Sequence, residues 1–300
     1  MPVLYYTFPA GKPGCSVKNI LLREWRLSTS LLSRLKQNPH GILLNGLPVS
    51  VNTQMAPGDR LQADVSDKAT DEAYSPYPLA LEICYEDEFF MVLNKPPGLA
   101  THPSTLDLSA PSLPNALAFH WGYGNFTFHP VNRLDRGTSG LMAVAKCGYI
   151  HQQFAAQLRD GRFFRRYFAV SQGTPPQPQG RITLPIAREE GSLIKRRVSP
   201  EGTAADTEYH ILEQHGPYTL LELTPHTGRT HQLRVHMAAL GCPLAGDWLY
   251  GQEDREKISR PALHSAYLQL YHPITGIQMH FTAAPPQDMQ QLLKQTKGAI

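Results

Sequence analysis

The spacing of apolar residues predicts two short helices near the start of the chain. Residues 20–25, ILLREW, place apolar side chains on one side of a helical turn. A second apolar stripe at residues 31–35 recurs at helical spacing, and Ser28 or Thr29 lies where the N-cap of that helix is expected. On the second helix, Arg34 and Lys36 would be free to face solvent.

Two short apolar runs follow these helices, and turn residues separate them. The stretch 41–51, GILLNGLPVSV, predicts two strands joined at Asn45-Gly46, a dipeptide typical of hairpins. The turn Pro-Gly-Asp at residues 57–59 precedes a strand predicted at Leu61–Val65. The pattern therefore predicts a small αβ unit with two helices and a sheet.

The next segment changes character and predicts a boundary between two domains. Residues 66–80 are acidic, contain proline and show no periodicity, which is typical of a linker. Residues 81–104 then predict strand, turn, strand and a Pro-Pro-Gly turn. Lys95, just before that turn, could approach a phosphate or could be an ordinary solvated turn residue. The predicted domains are residues 1–65 and 81–300.

Composition limits the classes to which the protein can belong. Apolar residues make up 41% and charged residues 18% of the 300 residues, the balance of a protein with a sizeable core. No stretch approaches about 18 uninterrupted apolar residues, and the first residues lack a basic segment followed by an apolar one, so neither a transmembrane helix nor a secretory signal is expected. The four scattered cysteines form no C-x-x-C pair, which predicts reduced, buried thiols in a cytoplasmic protein.

Net charge is unevenly distributed along the chain. The whole chain carries +3, but residues 1–60 hold seven basic residues against two acids. That segment is net +5, so the rest of the chain sums to −2. A small basic unit beside a near-neutral body suggests a module that binds a polyanion, although a chance excess on a solvated face would give the same numbers.

The densest group of functional side chains lies in residues 129–146, HPVNRLDRGTSGLMAVAK. Asp135 stands between Arg133 and Arg136, and a Gly-Thr-Ser-Gly turn leads into a strand predicted at Leu141–Ala145. Positive neighbours favour the ionised carboxylate, and a tight loop before a buried strand would hold it rigidly. Such a carboxylate can act as nucleophile or general base, although a surface ion-pair loop has the same spacing.

Two later segments also combine basic residues with other functional side chains. Residues 158–170, LRDGRFFRRYFAV, interleave arginines such as Arg165 with aromatic residues such as Tyr167. Charge suits phosphates and rings suit RNA bases, although a half-buried strand with solvated arginines fits as well. Residues 226–251 predict a helix that Thr227 would cap, and its three histidines lack the spacing of a zinc-binding helix, so no metal site is expected.

Three of these segments resemble motifs of the RluA family of RNA pseudouridine synthases. Residues 133–140, RLDRGTSG, match the family's R-L-D-x-x-T-S-G loop, although Asn132 stands where the family usually has histidine. Tyr167 matches the tyrosine of a family Lys-x-Tyr motif, and Arg165 replaces its lysine, which keeps the charge but not the geometry. Residues 227–234, TGRTHQLR, match the family's T-G-R-x-H-Q-[IL]-R.

The matches run in the family's order from residue 81 to about residue 251, and residues 15–65 are similar to the S-four-type RNA-binding module. The resemblance implies an α+β fold, with a mixed, mostly antiparallel sheet, flanking helices and a central cleft, preceded by a small αβ RNA-binding domain. It also implies that a uridine is extruded from RNA and isomerised to pseudouridine, with no metal or redox cofactor.

The resemblance implies roles for particular residues as well. Asp135 would be the nucleophile or base, Tyr167 would stack on the uracil, and Arg234 would orient the carboxylate. Arg133 would fill the vacated space or hold the flipped nucleotide. The other expected RNA contacts are Arg165, Arg229, Arg26, Arg34 and Lys36.

Large-subunit ribosomal RNA is the expected substrate, transfer RNA comes next, and a cytoplasmic monomer is expected. The main alternative is a catalytically silent RNA-binding protein of the same fold, and the presence of Asp135, Tyr167 and Arg234 argues against it. A glycosylase would be recognised by the free uracil that it releases. A zinc deaminase would need H-x-E and P-C-x-x-C motifs, which the sequence lacks.

Overall fold

The computed structural model describes residues 2–68, 70, 73–104 and 109–294. Its N-terminal part contains a small sheet and short helices. These elements are β1 (Val3–Thr7), β2 (Cys15–Ser16), α1 (Val17–Asn19), a π-helical turn (Ile20–Glu24), α2 (Thr29–Gln37), β3 (Ile42–Leu44), β4 (Leu47–Pro48), β5 (Gln54–Met55) and β6 (Arg60–Asp64). Four of the strands form a sheet in the order β1-β6-β3-β4, and β2 pairs with β5.

Local sequence signals explain most of this unit. The hydroxyl of Ser28 accepts a hydrogen bond from the Leu31 amide, so the predicted cap of α2 is confirmed. The predicted hairpin turns at Asn45 and Gly46, which both have positive φ. The first helix differs from its prediction, because the Trp25 amide bonds a carbonyl five residues back and residues 20–24 form a π-helical turn.

A larger sheet with flanking helices forms the body of the protein. Its elements are β7 (Glu82–Glu86), β8 (Phe90–Lys95), α3 (Leu113–Trp121), β9 (His129–Pro130), β10 (Ser139–Ala145), α4 (Gly148–Arg159), β11 (Phe164–Gln172), β12 (Gln179–Ile182), β13 (Ile186–Arg188), β14 (Arg196–Val198), β15 (Thr207–His215), β16 (Tyr218–Pro225), α5 (Gln232–Ala239), β17 (Leu263–Tyr271), β18 (Gln278–Thr282) and α6 (Gln287–Lys294).

The body has the mixed, mostly antiparallel α+β architecture that was expected. Its strands follow the order β12-β15-β16-β11-β17-β10-β8-β7, with β9 on β10 and β18 on β17. The pair β10–β17 is parallel, while β10–β8 and β11–β17 are antiparallel. No helix among the described residues is long and apolar enough to cross a membrane. The strands β13 and β14 form a separate two-stranded sheet and do not pair with strands of the large sheet.

A shared apolar core joins the N-terminal unit to the body. The cluster that contains Leu32 and Leu35 of α2 also contains Ile150 and Phe154 of α4. The Tyr149 hydroxyl donates a hydrogen bond to a carbonyl in the N-terminal unit, that of residue 25, at 2.8 Å. Burial of each large apolar side chain stabilises a fold by about 1.5–3 kcal/mol, so this contact is a substantial packing surface.

The segment between the two units is partly fixed to the body. Asp67 accepts a hydrogen bond from the Gly148 amide at 3.0 Å and pairs with the His129 ring at 2.6 Å. Three residues of the predicted linker, 69, 71 and 72, lie outside the described residues.

The cysteines are free and differ in exposure. Cys147 and Cys242 are buried and Cys15 is partly buried. Cys84 is exposed, so the prediction of buried thiols is wrong for this residue. It lies on β7, an edge strand of the large sheet, where alternate side chains face outward.

Candidate active site

Strand register brings distant segments of the chain together. Gly140 of β10 pairs with Ser265 of β17, and Ser265 pairs with Tyr167 of β11 on its other side. The β9–β10 loop, which carries Asp135, leads directly into β10. The loop therefore meets Tyr167 beside the first residues of β10 and β17.

Two irregularities of the backbone accompany this arrangement. The pairing of β11 with β17 shifts register between Arg166 and Tyr167, and such a bulge re-aims the side chain beside it. Gly140 has φ +113°, and a Cβ at this position would lie 2.3 Å from the Ser265 carbonyl oxygen. The last glycine of the Thr-Ser-Gly motif is thus required where β10 approaches β17.

A cavity of about 1020 Å³ opens at this point, and Asp135, Tyr167 and Arg234 all line it. Three predicted RNA contacts line it as well. They are Arg133, Arg165 and Arg229. Among the described residues, six arginines line the cavity and Asp135 is the one acid, so its potential is strongly positive. The cavity is large enough for a flipped nucleotide.

The Asp135 carboxylate faces two nitrogen-bearing side chains. Nη1 of Arg234 lies 3.5 Å from Oδ2, and Nε2 of His231 lies 4.0 Å from Oδ1. The shorter contacts of Arg234 go to Asp247, at 2.7 Å from both Nε and Nη2. Burial opposes the charge of Arg234, but the bonds to Asp247 outweigh this effect and raise its pKa. Arg234 is therefore a fixed cation that turns one edge toward Asp135.

Tyr167 lines the cavity with its ring but keeps little contact with solvent. Its residue is 5% exposed. Burial raises the pKa of its phenol, and the positive charge of Arg165 opposes that shift. The hydroxyl therefore keeps its proton at neutral pH, and the ring can offer a stacking face to a base.

Side chains from remote segments bond the carbonyls of the β9–β10 loop. Thr101 Oγ1 donates to the Leu134 carbonyl at 2.6 Å. Arg260 Nη1 donates to the Gly137 carbonyl at 3.0 Å, and the same guanidinium forms an ion pair with Asp288 of α6. The loop is therefore fixed by segments that lie both before and after it in sequence, which is the rigid placement a catalytic carboxylate needs.

Lys95 lies beneath the same loop and is fully buried. Its Nζ donates to the carbonyls of Pro96 and Leu99 at 2.9 and 2.8 Å and lies 3.5 Å from that of Arg136. Burial and the nearby Arg260 lower the pKa of Lys95 to about 7. Both earlier expectations for this lysine, a phosphate contact or a solvated turn, are wrong because it is enclosed by backbone carbonyls.

Asn132, the departure from the usual family motif, ties the loop to β10. It is 4% exposed. Its Oδ1 accepts a hydrogen bond from the Ala143 amide at 2.9 Å, and its Nδ2 donates to the Leu141 carbonyl at 3.4 Å. The amide thus supplies both a donor and an acceptor to the strand that follows Asp135.

Sequence reasoning assigned no role to three groups of the site, His231, Asp247 and Tyr250. His231 lies in the matched stretch at residues 227–234, and Asp247 and Tyr250 lie in the part of the match that runs on to about residue 251. Sequence alone could not show which side chains these three residues contact. The predicted cap of α5 was also wrong. The helix begins after His231, and the Thr227 hydroxyl instead donates to a glutamine of the helix at 2.7 Å.

The three predicted RNA contacts of the N-terminal unit do not line the cavity. Arg26 and Lys36 are exposed. Arg34 is half-buried, and its Nη2 donates to the Ser66 carbonyl at 2.6 Å, so it does not face solvent freely. Within the described chain, no three His, Cys, Asp or Glu side chains come together in a group that could hold a metal ion.

Comparisons with known proteins identify the family. Residues 89–239 match the model of the RNA pseudouridylate synthase family. The chain is 39% identical over 273 residues to YjbO of Bacillus subtilis (strain 168), an uncharacterised RNA pseudouridine synthase. This alignment covers 90% of this chain and 96% of that protein. It is 35% identical over 292 residues to ribosomal large subunit pseudouridine synthase D of Escherichia coli O157:H7, which covers 91% of this chain and 84% of that protein.

A solved structure agrees with this relationship. Human RNA pseudouridylate synthase domain containing 1 has a TM-score of 0.56 and 26% identity, over 69% of this chain and 84% of that one. The chain therefore belongs to the RNA pseudouridylate synthase family, and the predicted enzyme class, an isomerase acting on RNA, is confirmed over the silent RNA-binding alternative.

Proposed function

We propose that this chain isomerises uridine to pseudouridine in large-subunit ribosomal RNA, with Asp135 as the reacting carboxylate. The observation that carries the proposal is the meeting of Asp135, Tyr167 and Arg234 in one strongly cationic cavity. Relatives named ribosomal large subunit pseudouridine synthase D in Escherichia coli O157:H7 and Yersinia pestis support the choice of RNA.

The chemistry begins with extrusion of the uridine, because a stacked base cannot reach a cavity in the protein. Extrusion costs a few kcal/mol, which contacts from Arg133 to the vacated position or to the flipped nucleotide offset. The glycosidic C–N bond then breaks and the uracil turns. A bond forms from C5 to the ribose, and the C5 proton leaves while N1 gains one.

Each of the three central side chains has a separate role. Asp135 acts as nucleophile or as base, and its partial exposure of 28% leaves an oxygen accessible to substrate. The Tyr167 ring stacks on the uracil. Arg234 orients the carboxylate, because Asp247 holds the guanidinium in place.

A second cavity continues the RNA path beside the first. It measures about 280 Å³ and shares Arg229 and Thr230 with the larger cavity. Arg188 and Arg196 line it and stand directly opposite each other in the hairpin β13–β14. Like charges in opposed positions destabilise a strand pair, and an RNA phosphate between them would remove that penalty. We place the backbone next to the flipped uridine here.

The N-terminal unit supplies a further contact to folded RNA. Its two helices and small sheet fit the S-four-like module, and the exposed Arg26 and Lys36 are available for phosphates. The protein works as a monomer in the compartment that holds the ribosomal RNA, the cytoplasm. Light scattering of the purified protein, alone and with RNA, measures the oligomeric state.

The decisive experiment is pseudouridine mapping with and without the gene. Carbodiimide treatment and reverse-transcription stops on total RNA show which sites are lost. Loss of stops in large-subunit ribosomal RNA supports the proposal. Loss confined to transfer RNA would contradict the substrate and keep the reaction.

Asp135→Asn tests the reacting group. We expect no measurable product from this variant on an unmodified large-subunit transcript, with RNA affinity within about threefold of wild type, since an amide cannot replace the carboxylate. Asp160→Asn is the matched control, because Asp160 is also flanked by arginines yet lies outside the cavity lining. Full turnover by Asp135→Asn would refute the assigned role.

A further inference from the structure

His231 has an unusual backbone at the edge of the cavity. Its φ is +58°, in the left-handed region that residues other than glycine rarely adopt. Such conformations cost about 1–3 kcal/mol and cluster at functional sites. The side chain is 15% exposed, lines the cavity and places Nε2 4.0 Å from Oδ1 of Asp135.

Tyr250 determines which ring nitrogen of His231 carries the proton. The Tyr250 hydroxyl lies 2.9 Å from Nδ1 of His231, and it accepts a hydrogen bond from the Arg196 amide at 2.9 Å. Among the described residues, Nδ1 is the acceptor that the hydroxyl proton can reach. A neutral imidazole that accepts at Nδ1 carries its proton on Nε2, the nitrogen that faces Asp135.

The surroundings keep this imidazole neutral. Burial lowers the pKa of His231, Asp135 opposes that shift, and Arg234 and Arg196 lower it further. Asp247 also faces the ring and opposes the shift. Asp135 lies in the β9–β10 loop, Arg234 in α5, Arg196 in β14 and Asp247 in the segment after α5. A neutral N–H donor can orient a carboxylate without adding another positive charge to the site.

We propose that neutral His231, fixed by Tyr250, is a positioning residue that holds Oδ1 of Asp135 while Arg234 faces Oδ2. The proposal rests on the proposed role of Asp135 in catalysis. The 4.0 Å separation closes to hydrogen-bond length when RNA occupies the cavity, because contacts of this kind tighten in the substrate complex. Arg196 also links this pair to the hairpin β13–β14, through its amide.

The test compares Tyr250→Phe, His231→Leu and His231→Gln in single-turnover reactions on an unmodified large-subunit ribosomal RNA transcript, from pH 5 to 9. We expect Tyr250→Phe and His231→Leu to lower the rate constant about 10- to 100-fold, with RNA affinity within threefold of wild type. His231→Gln keeps an N–H donor, so it recovers most of the rate. It also removes the fall in rate at low pH, where the wild-type imidazole becomes charged.

A second tyrosine–histidine pair provides matched controls. The Tyr267 hydroxyl bonds His280 at 2.7 Å on β17 and β18, away from the cavity lining. Tyr267→Phe and His280→Gln should keep the wild-type rate and pH profile. If the profiles of Tyr250→Phe and His231→Gln also overlay the wild type, or if every loss follows thermal stability, the inference is wrong. Asp135→Asn in the same assay separates this outcome from failure of the proposed function, which would leave that variant active.

Discussion

At the scale of the residue, the arginine nearest Asp135 depends on another acid. Arg234 and Asp135 are 99 positions apart, and the guanidinium reaches the site because Asp247 fixes two of its nitrogens. Asp247 is fully buried. A buried carboxylate without its partner is costly, so neither member of this pair can be changed alone without loss of stability. The ion pair between Arg234 and Asp247 therefore stabilises the fold and also orients the guanidinium toward Asp135.

Gly140 gives the sharpest prediction for a single residue. Gly140→Ala combines a φ of +113° with a Cβ only 2.3 Å from a backbone oxygen of β17. We expect the free energy of unfolding to fall by about 3 kcal/mol or more and turnover to be lost, because β10 must move away from β17. Urea denaturation and the pseudouridine assay measure the two effects.

Gly276 is the control for this variant. It also has positive φ, +70°, but a Cβ there would meet nothing within 4 Å. Gly276→Ala should cost about 1 kcal/mol from backbone strain alone and leave turnover unchanged. Equal losses in the two variants would show that the close approach of β10 to β17 has no special importance.

Lys95 predicts how stability depends on pH. Its pKa falls from 10.5 to about 7 in the folded protein, so between these values the unfolded chain binds more protons. Stability then rises with pH across this window, by up to about 1.4 kcal/mol per pH unit. In urea denaturation at pH 7, 8 and 9, we expect the stability of wild type relative to Lys95→Met to increase with pH.

An exposed lysine supplies the comparison for Lys95→Met. Lys18 is exposed on α1. Lys18→Met should follow the wild-type pH dependence throughout. Parallel curves for wild type and Lys95→Met would contradict a depressed lysine pKa in the folded state.

Sequence could identify chemically distinctive residues but not their partners. Asp135, Tyr167 and Arg234 stood in recognisable motifs, and all three line one cavity. The position of Lys95 could not be predicted, since its three carbonyl partners are set by the path of two loops. The hydrogen bond between the Tyr250 hydroxyl and His231 could not be predicted either, because the two residues are 19 positions apart in sequence.

At the scale of the element, local signals succeeded where hydrogen bonds are local. The cap of α2 and the turn of β3–β4 depend on neighbouring residues, and both were predicted. The start of α5 was not, because the Thr227 hydroxyl is used to hold Gln232 rather than a helix end. The π-helical turn at residues 20–24 was not predicted from sequence either. Its buried side chains pack in the shared apolar core, and neighbouring residues alone do not determine that contact.

The hairpin β13–β14 yields a prediction about salt. If a phosphate sits between Arg188 and Arg196, the double variant Arg188→Gln/Arg196→Gln should bind RNA more weakly and lower the slope of log K against log salt by about 1–2. Single-turnover rates at saturating RNA and pH 8, where His231 is neutral even without the charge of Arg196, should change little, because the hairpin arginines bind rather than react. Filter binding at several salt concentrations measures the slope.

Arg197 is the matched control on the same strand. It is exposed, pairs with Ala187 in the hairpin and is absent from the lining of the second cavity. Arg197→Gln should leave the salt slope near the wild-type value. The subsite would be disproved if this variant changed the slope as much as the double variant does.

At the scale of the whole molecule, the N-terminal unit and the body share one apolar core. Leu35 of α2 and Phe154 of α4 belong to the same buried cluster. Deletion of the unit would expose this surface, so loss of activity on deletion would not distinguish RNA binding from folding. Substitution of exposed charged residues leaves this core intact, so it tests whether the N-terminal unit binds RNA.

Arg26→Gln/Lys36→Gln provides that test, because both residues are exposed. We expect affinity for a large folded RNA to fall about three- to tenfold, while turnover on a short fragment around the target uridine is unchanged. Arg255→Gln, an exposed arginine in the segment before β17, is the control. Equal affinity of the double variant and wild type for the large RNA would remove the N-terminal unit from the binding surface.

The bond from Arg260 to the Gly137 carbonyl, supported by Asp288, has a consequence for biosynthesis. The β9–β10 loop is translated before its two supports, Arg260 and Asp288. These residues follow Gly137 by 123 and 151 positions. Domains fold as their residues become available during translation. The loop that carries Asp135 therefore gains its last support only after Asp288 has been made, and we expect a nascent chain that stops before this residue to hold the loop less firmly.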